Sequence, residues 1–118
     1  MFKILCMSKV SVIVPVHNTV EYIQACVHSL RQQTLDDIEI ILVENASDDG
    51  SLERCHELAL ADKRIKVIHS DIGDLSHARN LGIEHASSEY VAFVDSDDTV
   101  AKEMYQVLLG IAEEHDLD

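Results

Sequence analysis

The most chemically pointed stretch of this sequence is Asp95-Ser96-Asp97-Asp98, which follows five apolar residues at 90–94. If strand geometry persists into it, Asp95 and Asp97 point to one side, because strand side chains alternate with period two. Two carboxylates then converge, and they repel unless something positive neutralises them. A hard cation with oxygen coordination, Mg²⁺ or Mn²⁺, is the usual solution, and such an ion keeps positions open for phosphate oxygens. A plainer reading has Asp97-Asp98-Thr99 end a strand and cap the last helix. The balance tips because a second polar cluster, Glu44-Asn45-Ala46-Ser47-Asp48-Asp49-Gly50, also ends an apolar run.

The elements that must position these clusters alternate regularly. Residues 10–14 form a β-branched run closed by Pro15, which cannot donate to a ladder and so marks a strand end. Asn18 can cap a first helix with Glu21 three residues later, its inner face being Ile23, Cys26, Val27 and Leu30. Residues 38–43 are apolar on both faces except for Glu39, as in a strand covered on both sides of a parallel sheet. A second helix starts at Ser51 with Leu52, Cys55, Leu58 and Ala59 inward, and 65–68 is a half-polar third strand. A third helix spans about 75–85, 90–94 is a fourth strand, and a last helix turns Met104, Val107, Leu108 and Ile111 inward. This alternation implies right-handed βαβ crossovers and an α/β fold: a mostly parallel sheet with helices on both faces. Ligands of such sheets bind outside the carboxyl ends of the strands. Those ends carry His17-Asn18, Glu44-Asn45, Ser70-Asp71 and Asp95-Ser96-Asp97, nearly all polar.

Composition bounds the function. The 118 residues, 47% hydrophobic, fit a single domain with a real core, with no repeat or linker. No apolar run reaches the roughly 18 residues that cross a bilayer, and residues 1–10, broken by Lys3 and Lys9, make no signal peptide. A soluble, cytoplasmic chain is expected. Cys6, Cys26 and Cys55 lack metal or disulfide spacing and read as buried thiols. With 22 acidic against 9 basic residues and a net charge of −13, nucleic acid is a poor partner. An anionic ligand approaching this chain needs a cation as intermediary.

Five segments in order, Val10-Ser11-Val12-Ile13-Val14-Pro15-Val16-His17-Asn18, Gln33-Thr34, Val43-Glu44-Asn45-Ala46-Ser47-Asp48-Asp49-Gly50-Ser51, Leu75-Ser76-His77-Ala78-Arg79-Asn80-Leu81-Gly82-Ile83 and Asp95-Ser96-Asp97-Asp98, resemble the family 2 inverting glycosyltransferases of the GT-A fold. The resemblance covers nearly the whole chain, residues 1–118, as the nucleotide-sugar-binding half of such an enzyme. It implies a Rossmann-like sheet, a nucleoside-diphosphate sugar donor, most often UDP-linked, and a saccharide or lipid-linked acceptor. It also implies Mn²⁺ or Mg²⁺ bridging the diphosphate. By position, Pro15, Val16 and His17 line the base pocket, Glu44 reads base or ribose, Asp95 contacts ribose or sugar, and Asp97 is the chief metal ligand. Arg79 faces the nucleotide or, alternatively, is a surface arginine paired to Asp71 or Asp74.

The family usually has Tyr at His17 and an Asp pair at Glu44-Asn45. His17 can still stack or hydrogen-bond, with a charge that changes near neutral pH. The resemblance further implies that the acceptor pocket and the carboxylate general base lie beyond Asp118, so this stretch binds donor without efficient transfer. Membrane association within a full-length enzyme is compatible with this reading, and its uncovered edge and helix faces favour a homodimer. The alternative class is a non-catalytic nucleotide-binding or regulatory module, which needs no metal. A dinucleotide oxidoreductase would need a glycine-rich turn after the first strand, and Pro15-Val16-His17-Asn18-Thr19 has no glycine. A nucleotidyltransferase would need a glycine-rich basic loop there, which is likewise absent.

Overall fold

The computed structural model describes residues 9–115. Strands β1 (Val10–Val16), β2 (Ile38–Asn45), β3 (Ile65–Ser70) and β4 (Tyr90–Phe93) alternate with helices α1 (Ile23–Arg31), α2 (Ser51–Ala61), α3 (Leu75–His85) and α4 (Met104–Glu114). All pairings are parallel and the strand order is β3-β2-β1-β4. The α/β class, with helices on both faces, is the one the alternation of elements predicts.

Period-two alternation divides the core. Val10, Val12, Val14 and Val16 of β1, with Ile38, Ile40 and Leu42 of β2, pack under Ile23, Cys26, Val27 and Leu30 of α1, Cys55 of α2 and Tyr105 of α4. Residues of the opposite parity, Ile13, Ile41 and Val43, pack against Ala78 of α3. At Gly82 a Cβ would collide with the Ile13 side chain, so glycine is what lets α3 lie close on β1. β2 is buried along its entire length, as its nearly continuous apolar run requires. Cys26 and Cys55 are buried free thiols, as expected, and Cys6 lies outside the described residues.

Three local expectations are corrected. Pro15 does not end β1, which runs on to Val16 with Pro15 opposite Val43. The Ile13 carbonyl accepts from Val94 N at 3.0 Å, so Pro15, two residues on, faces the same side beyond the last residue of β4, where its missing N–H breaks no ladder bond. Asn18 does not cap α1. The Thr19 carbonyl accepts from both Tyr22 N and Ile23 N at 2.9 Å, forming a turn that delays the helix to Ile23, while Asn18 takes a left-handed φ of 51°. In α4 the inward residues are Tyr105 and Leu109, whereas Met104, Val107, Leu108 and Ile111 are 38–55% exposed. That helix is apolar around most of its circumference, so periodicity alone does not select its buried face. Among the described residues no helix is long and apolar enough to cross a membrane.

Candidate functional site

The chain adds β2 and β3 on one side of β1, then returns to place β4 on the other. The β1/β4 boundary is therefore the topological switch point, where connections leave in opposite directions and open a crevice at the carboxyl ends. A cleft of about 400 Å³ occupies that position. Pro15, Val16, His17 and Thr19 come from the end of β1, Asn45 from β2, Gly73 and Leu75 from the approach to α3, and Asp95, Ser96 and Asp97 from beyond β4.

The acidic segment is a turn rather than a continued strand. Asp98 N donates to the Asp95 carbonyl at 3.0 Å. Ser96, 5% exposed, tucks inward and accepts from Thr19 Oγ1 at 2.8 Å. The turn gathers the carboxylates of Asp95, Asp97 and Asp98 outward, with oxygens all within 4.8 Å of one another. Strand alternation was expected to bring Asp95 and Asp97 together; the turn does so instead and adds Asp98. Asp98 caps no helix, since α4 begins only at Met104 with Glu103 at its cap. Among the described residues no basic side chain forms an ion pair with the three. Three clustered, unneutralised oxygen donors fit a hard divalent cation. Beneath the turn, the Cys26 thiol donates to the Asp95 carbonyl at 3.7 Å. Burial first, then the charges of Asp98, Asp97 and Asp95, push its pKa up to about 12.

Behind His17, Thr19 and Asn45 on the other side of the cleft, two loops interlock. Asn18 N donates to Ser47 Oγ at 3.0 Å and Asn18 Oδ1 accepts from Asp48 N at 2.9 Å. Val20 N donates to Asp49 Oδ2 at 3.1 Å and Thr19 N to Ser51 Oγ at 3.2 Å. Asn18 and Ala46 both take positive φ, 51° and 54°, a conformation costing a non-glycine residue about 1–2 kcal/mol. The lock between the loops offsets that strain, and such strain gathers where geometry serves a ligand. His17 Nδ1 lies 2.7 Å from the Asn45 carbonyl. A carbonyl only accepts, so Nδ1 carries the proton and Nε2 is left as an acceptor, facing Asn18 Nδ2 at 3.4 Å.

Of the residues singled out in the sequence, Pro15, Val16, His17, Asp95 and Asp97 meet in one cleft. Glu44 does not join them. It is fully buried, with Oε2 accepting from Ser47 N at 2.6 Å and Oε1 held by His69 Nδ1 at 2.5 Å. Glu44 shares the parity of Ile40 and Leu42 and so faces the main core, whereas Asn45 faces the cleft. Asn45 Oδ1 accepts from Gly73 N at 2.9 Å and Nδ2 donates to the Asp74 carbonyl at 3.1 Å. Strand parity was the signal that could have singled out Asn45; Thr19 and Ser96, ordinary hydroxyls, gave none. Arg79 lines an adjoining hollow of about 470 Å³ with Phe93, Asp95 and Asp98, its guanidinium 5.9 Å from the Phe93 ring centroid. It pairs with neither Asp71 nor Asp74: Asp71 contacts His69 at 2.8 Å, and Asp74 caps α3 by accepting from Ser76 N at 3.1 Å.

Known proteins resemble this chain in sequence and fold. The chain is 49% identical over 109 residues to the uncharacterized glycosyltransferase EpsJ of Bacillus subtilis, covering 92% of this chain and 32% of EpsJ. It is 41% identical over 110 residues to the glycosyltransferase GlyG of Streptococcus pneumoniae, covering 92% of this chain and 36% of GlyG. It thus spans about a third of the length of these relatives. Among solved structures, Staphylococcus aureus TarS 1-349 in complex with UDP-GlcNAc superposes with a TM-score of 0.82 at 32% identity, over 92% of this chain and 32% of that one. The mannosyltransferase PcManGT of Pyrobaculum calidifontis, in complex with GDP-Man and Mn²⁺, superposes with a TM-score of 0.70 at 26% identity, over 79% and 28% of the two chains. The fold is the Rossmann-like GT-A arrangement, and the profile of glycosyl transferase family 2 matches residues 11–118. With that match covering nearly its whole length, the chain belongs to glycosyl transferase family 2.

Proposed function

We propose that this chain is the donor-binding part of an inverting glycosyltransferase and takes a nucleoside-diphosphate sugar, UDP-linked, through Mn²⁺ or Mg²⁺. The observation that carries the reading is the cluster of three carboxylates at the switch-point cleft, Asp95 and Asp97 lining it and Asp98 beside them, which no basic side chain among the described residues pairs with. Pro15, Val16 and His17 take the base, with Asn45 rather than Glu44 as the polar wall. Asp95 meets the ribose or sugar, Asp97 is the chief metal ligand with Asp98 beside it, and Arg79 offers positive charge from the adjoining hollow. The bound cation would supply Lewis-acid stabilisation of the departing diphosphate. The net charge of −13 supports this, because it leaves the cluster unable to receive a diphosphate without such a counterion. Donors in the similar structures, UDP-GlcNAc in TarS and GDP-Man with Mn²⁺ in PcManGT, support it too.

In the complete reaction an acceptor hydroxyl oxygen, on a saccharide or a lipid-linked saccharide, bonds to the anomeric carbon. The bond from that carbon to the diphosphate oxygen breaks, and configuration inverts. The hydroxyl proton needs a carboxylate base, and in this reading Asp95 and Asp97 are committed to donor and metal. The stretch therefore binds donor without efficient transfer, a general base being worth about 10²- to 10⁴-fold. Calorimetry with UDP-GlcNAc and Mn²⁺, repeated in EDTA, tests the reading. Binding lost in EDTA is the expected result; equal affinity in both conditions would replace it with a metal-free nucleotide-binding module.

A further inference from the structure

Outside the cleft, one titratable cluster connects to it through an unbroken chain of contacts. His69, at the end of β3 and 46% exposed, has a carboxylate at each ring nitrogen: Glu44 Oε1 at 2.5 Å from Nδ1 and Asp71 Oδ1 at 2.8 Å from Nε2. Glu44 is 1% exposed at its side chain and His69 is its one cationic partner among the described residues. Its other oxygen holds Ser47 N at 2.6 Å, and Ser47 Oγ holds Asn18 N at 3.0 Å, next to His17 on the cleft wall. The Ala46 amide, at a strained φ of 54°, is tied to the Ser70 carbonyl, the residue after His69.

We propose that His69 is a positioning residue whose protonated imidazole clamps Glu44 to Asp71 and so fixes the 44–48 segment, whose Asn45 lines the nucleotide cleft and whose Ser47 and Asp48 hold Asn18 beside it. Only an imidazolium donates at both nitrogens. The neutral ring donates to one carboxylate, turns a lone pair on the other, and leaves the buried Glu44 charge without a countercharge, a costly state for an ion out of water. A buried carboxylate so deprived is drawn toward solvent, and that movement loosens its hold on Ser47 and Ser47's hold on Asn18. The groups facing His69 are Glu44 from β2 and Asp71 from the β3–α3 loop. The bond to Glu44 is the largest influence and outweighs partial desolvation, with Asp71 adding to it, so the His69 pKa stands above the ordinary 6.5. The clamp is therefore complete below the pKa of a free histidine and is lost as pH rises through the raised value. His17, by contrast, lines the cleft itself, and its ring contacts are the Asn45 carbonyl and Asn18 Nδ2.

The inference rests on the donor-binding reading for its effect on affinity but not for the clamp itself, and the two are tested separately. The first experiment follows the imidazole and amide NMR signals of the unliganded chain from about pH 5 to 8, where histidines titrate, and on above that range. The Ser47 and Asn18 amides should shift with the same midpoint as His69, and that midpoint should lie above the ordinary histidine value. Amides that ignore the His69 titration overturn the proposal whatever the chain binds. The second measures UDP-GlcNAc affinity with Mn²⁺ over the same range, a ligand whose diphosphate diester does not itself titrate there. Affinity should fall about five- to tenfold as His69 deprotonates, at the low end of coupling between linked sites. His69→Gln, which keeps hydrogen bonding but cannot ionise, should bind at the weaker level with no such slope. A slope that survives in His69→Gln but vanishes in His17→Asn assigns the effect to His17 and overturns the proposal. Absence of binding at every pH would instead sink the donor-binding reading and leave the amide titration to decide the clamp.

Discussion

Two buried glutamates on β2, Glu39 near its amino end and Glu44 near its carboxyl end, are 6% and 0% exposed, yet the molecule treats them differently. Glu39 is enclosed by partners that leave it nothing to do: Ser11 Oγ at 2.8 Å, Ser87 N at 3.1 Å, Ser87 Oγ at 3.0 Å and Lys66 Nζ at 2.5 Å. Burial raises its pKa, but the bonds from Lys66, Ser11 and Ser87 outweigh that and hold it below the usual carboxylate value. Glu44 is satisfied by a loop amide and a half-exposed histidine, and that amide's residue, Ser47, holds Asn18 next to the cleft residue His17. In a parallel sheet both ends of a covered strand can bury a charge. Only the carboxyl end faces a crevice, so the same residue type closes the fold at one end and supports a site at the other.

Four expectations would break or sharpen this contrast. The largest belongs to the carboxyl end: Asp97→Ala should abolish Mn²⁺-dependent UDP-GlcNAc binding, by 100-fold or more on the order of an essential ligand's loss, with an unchanged melting temperature. Calorimetry and a thermal scan on the same sample check it, and retained Mn²⁺-dependent affinity would count against the metal assignment. At the amino end, Glu39→Ala should cost about 1–3 kcal/mol of stability, because Ser11 and Ser87 lose their acceptor. Nucleotide affinity of the folded protein should stay at the wild-type level. Denaturant unfolding paired with calorimetry decides this, and an affinity change larger than the stability change would erase the distinction between the two ends.

A smaller effect is expected for Glu44→Gln. It should keep the fold, lower UDP-GlcNAc affinity about three- to tenfold, the scale of one ordinary hydrogen bond, and flatten the pH dependence set by His69. The smallest concerns the floor of the acidic turn. Cys26, its thiol pushed up to about 12 chiefly by burial, should resist alkylation at neutral pH in the native protein and react once it is unfolded. Site-resolved mass spectrometry checks that outcome, and rapid native labelling would show that the turn does not cover the thiol.

Much of the fold was legible residue by residue. The helix over Leu75–His85 and the strand ends carrying His17, Asn45 and Asp95 follow from apolar periodicity and the polar residues that interrupt it. The errors cluster where periodicity is silent. At α4 nearly every position is apolar, so either face satisfied the pattern. At Pro15 the sequence shows a lost donor but not that the neighbouring strand has already ended. At Asn18 a capping residue was spent on the facing loop, because a contact with Asp48, thirty residues away, outcompetes a local one.

By itself, the sequence determined the α/β class, the polar carboxyl edge, the family and the acid cluster, since all of these rest on residue type and local spacing. Only the tertiary structure decided that a turn rather than a strand gathers Asp95, Asp97 and Asp98, that Asn45 faces the cleft while Glu44 turns into the core, and that His69 stands between two carboxylates. Those are questions of which atoms from distant segments meet. Their answers depend on strand register and the switch-point crossing, which no short window of residues encodes.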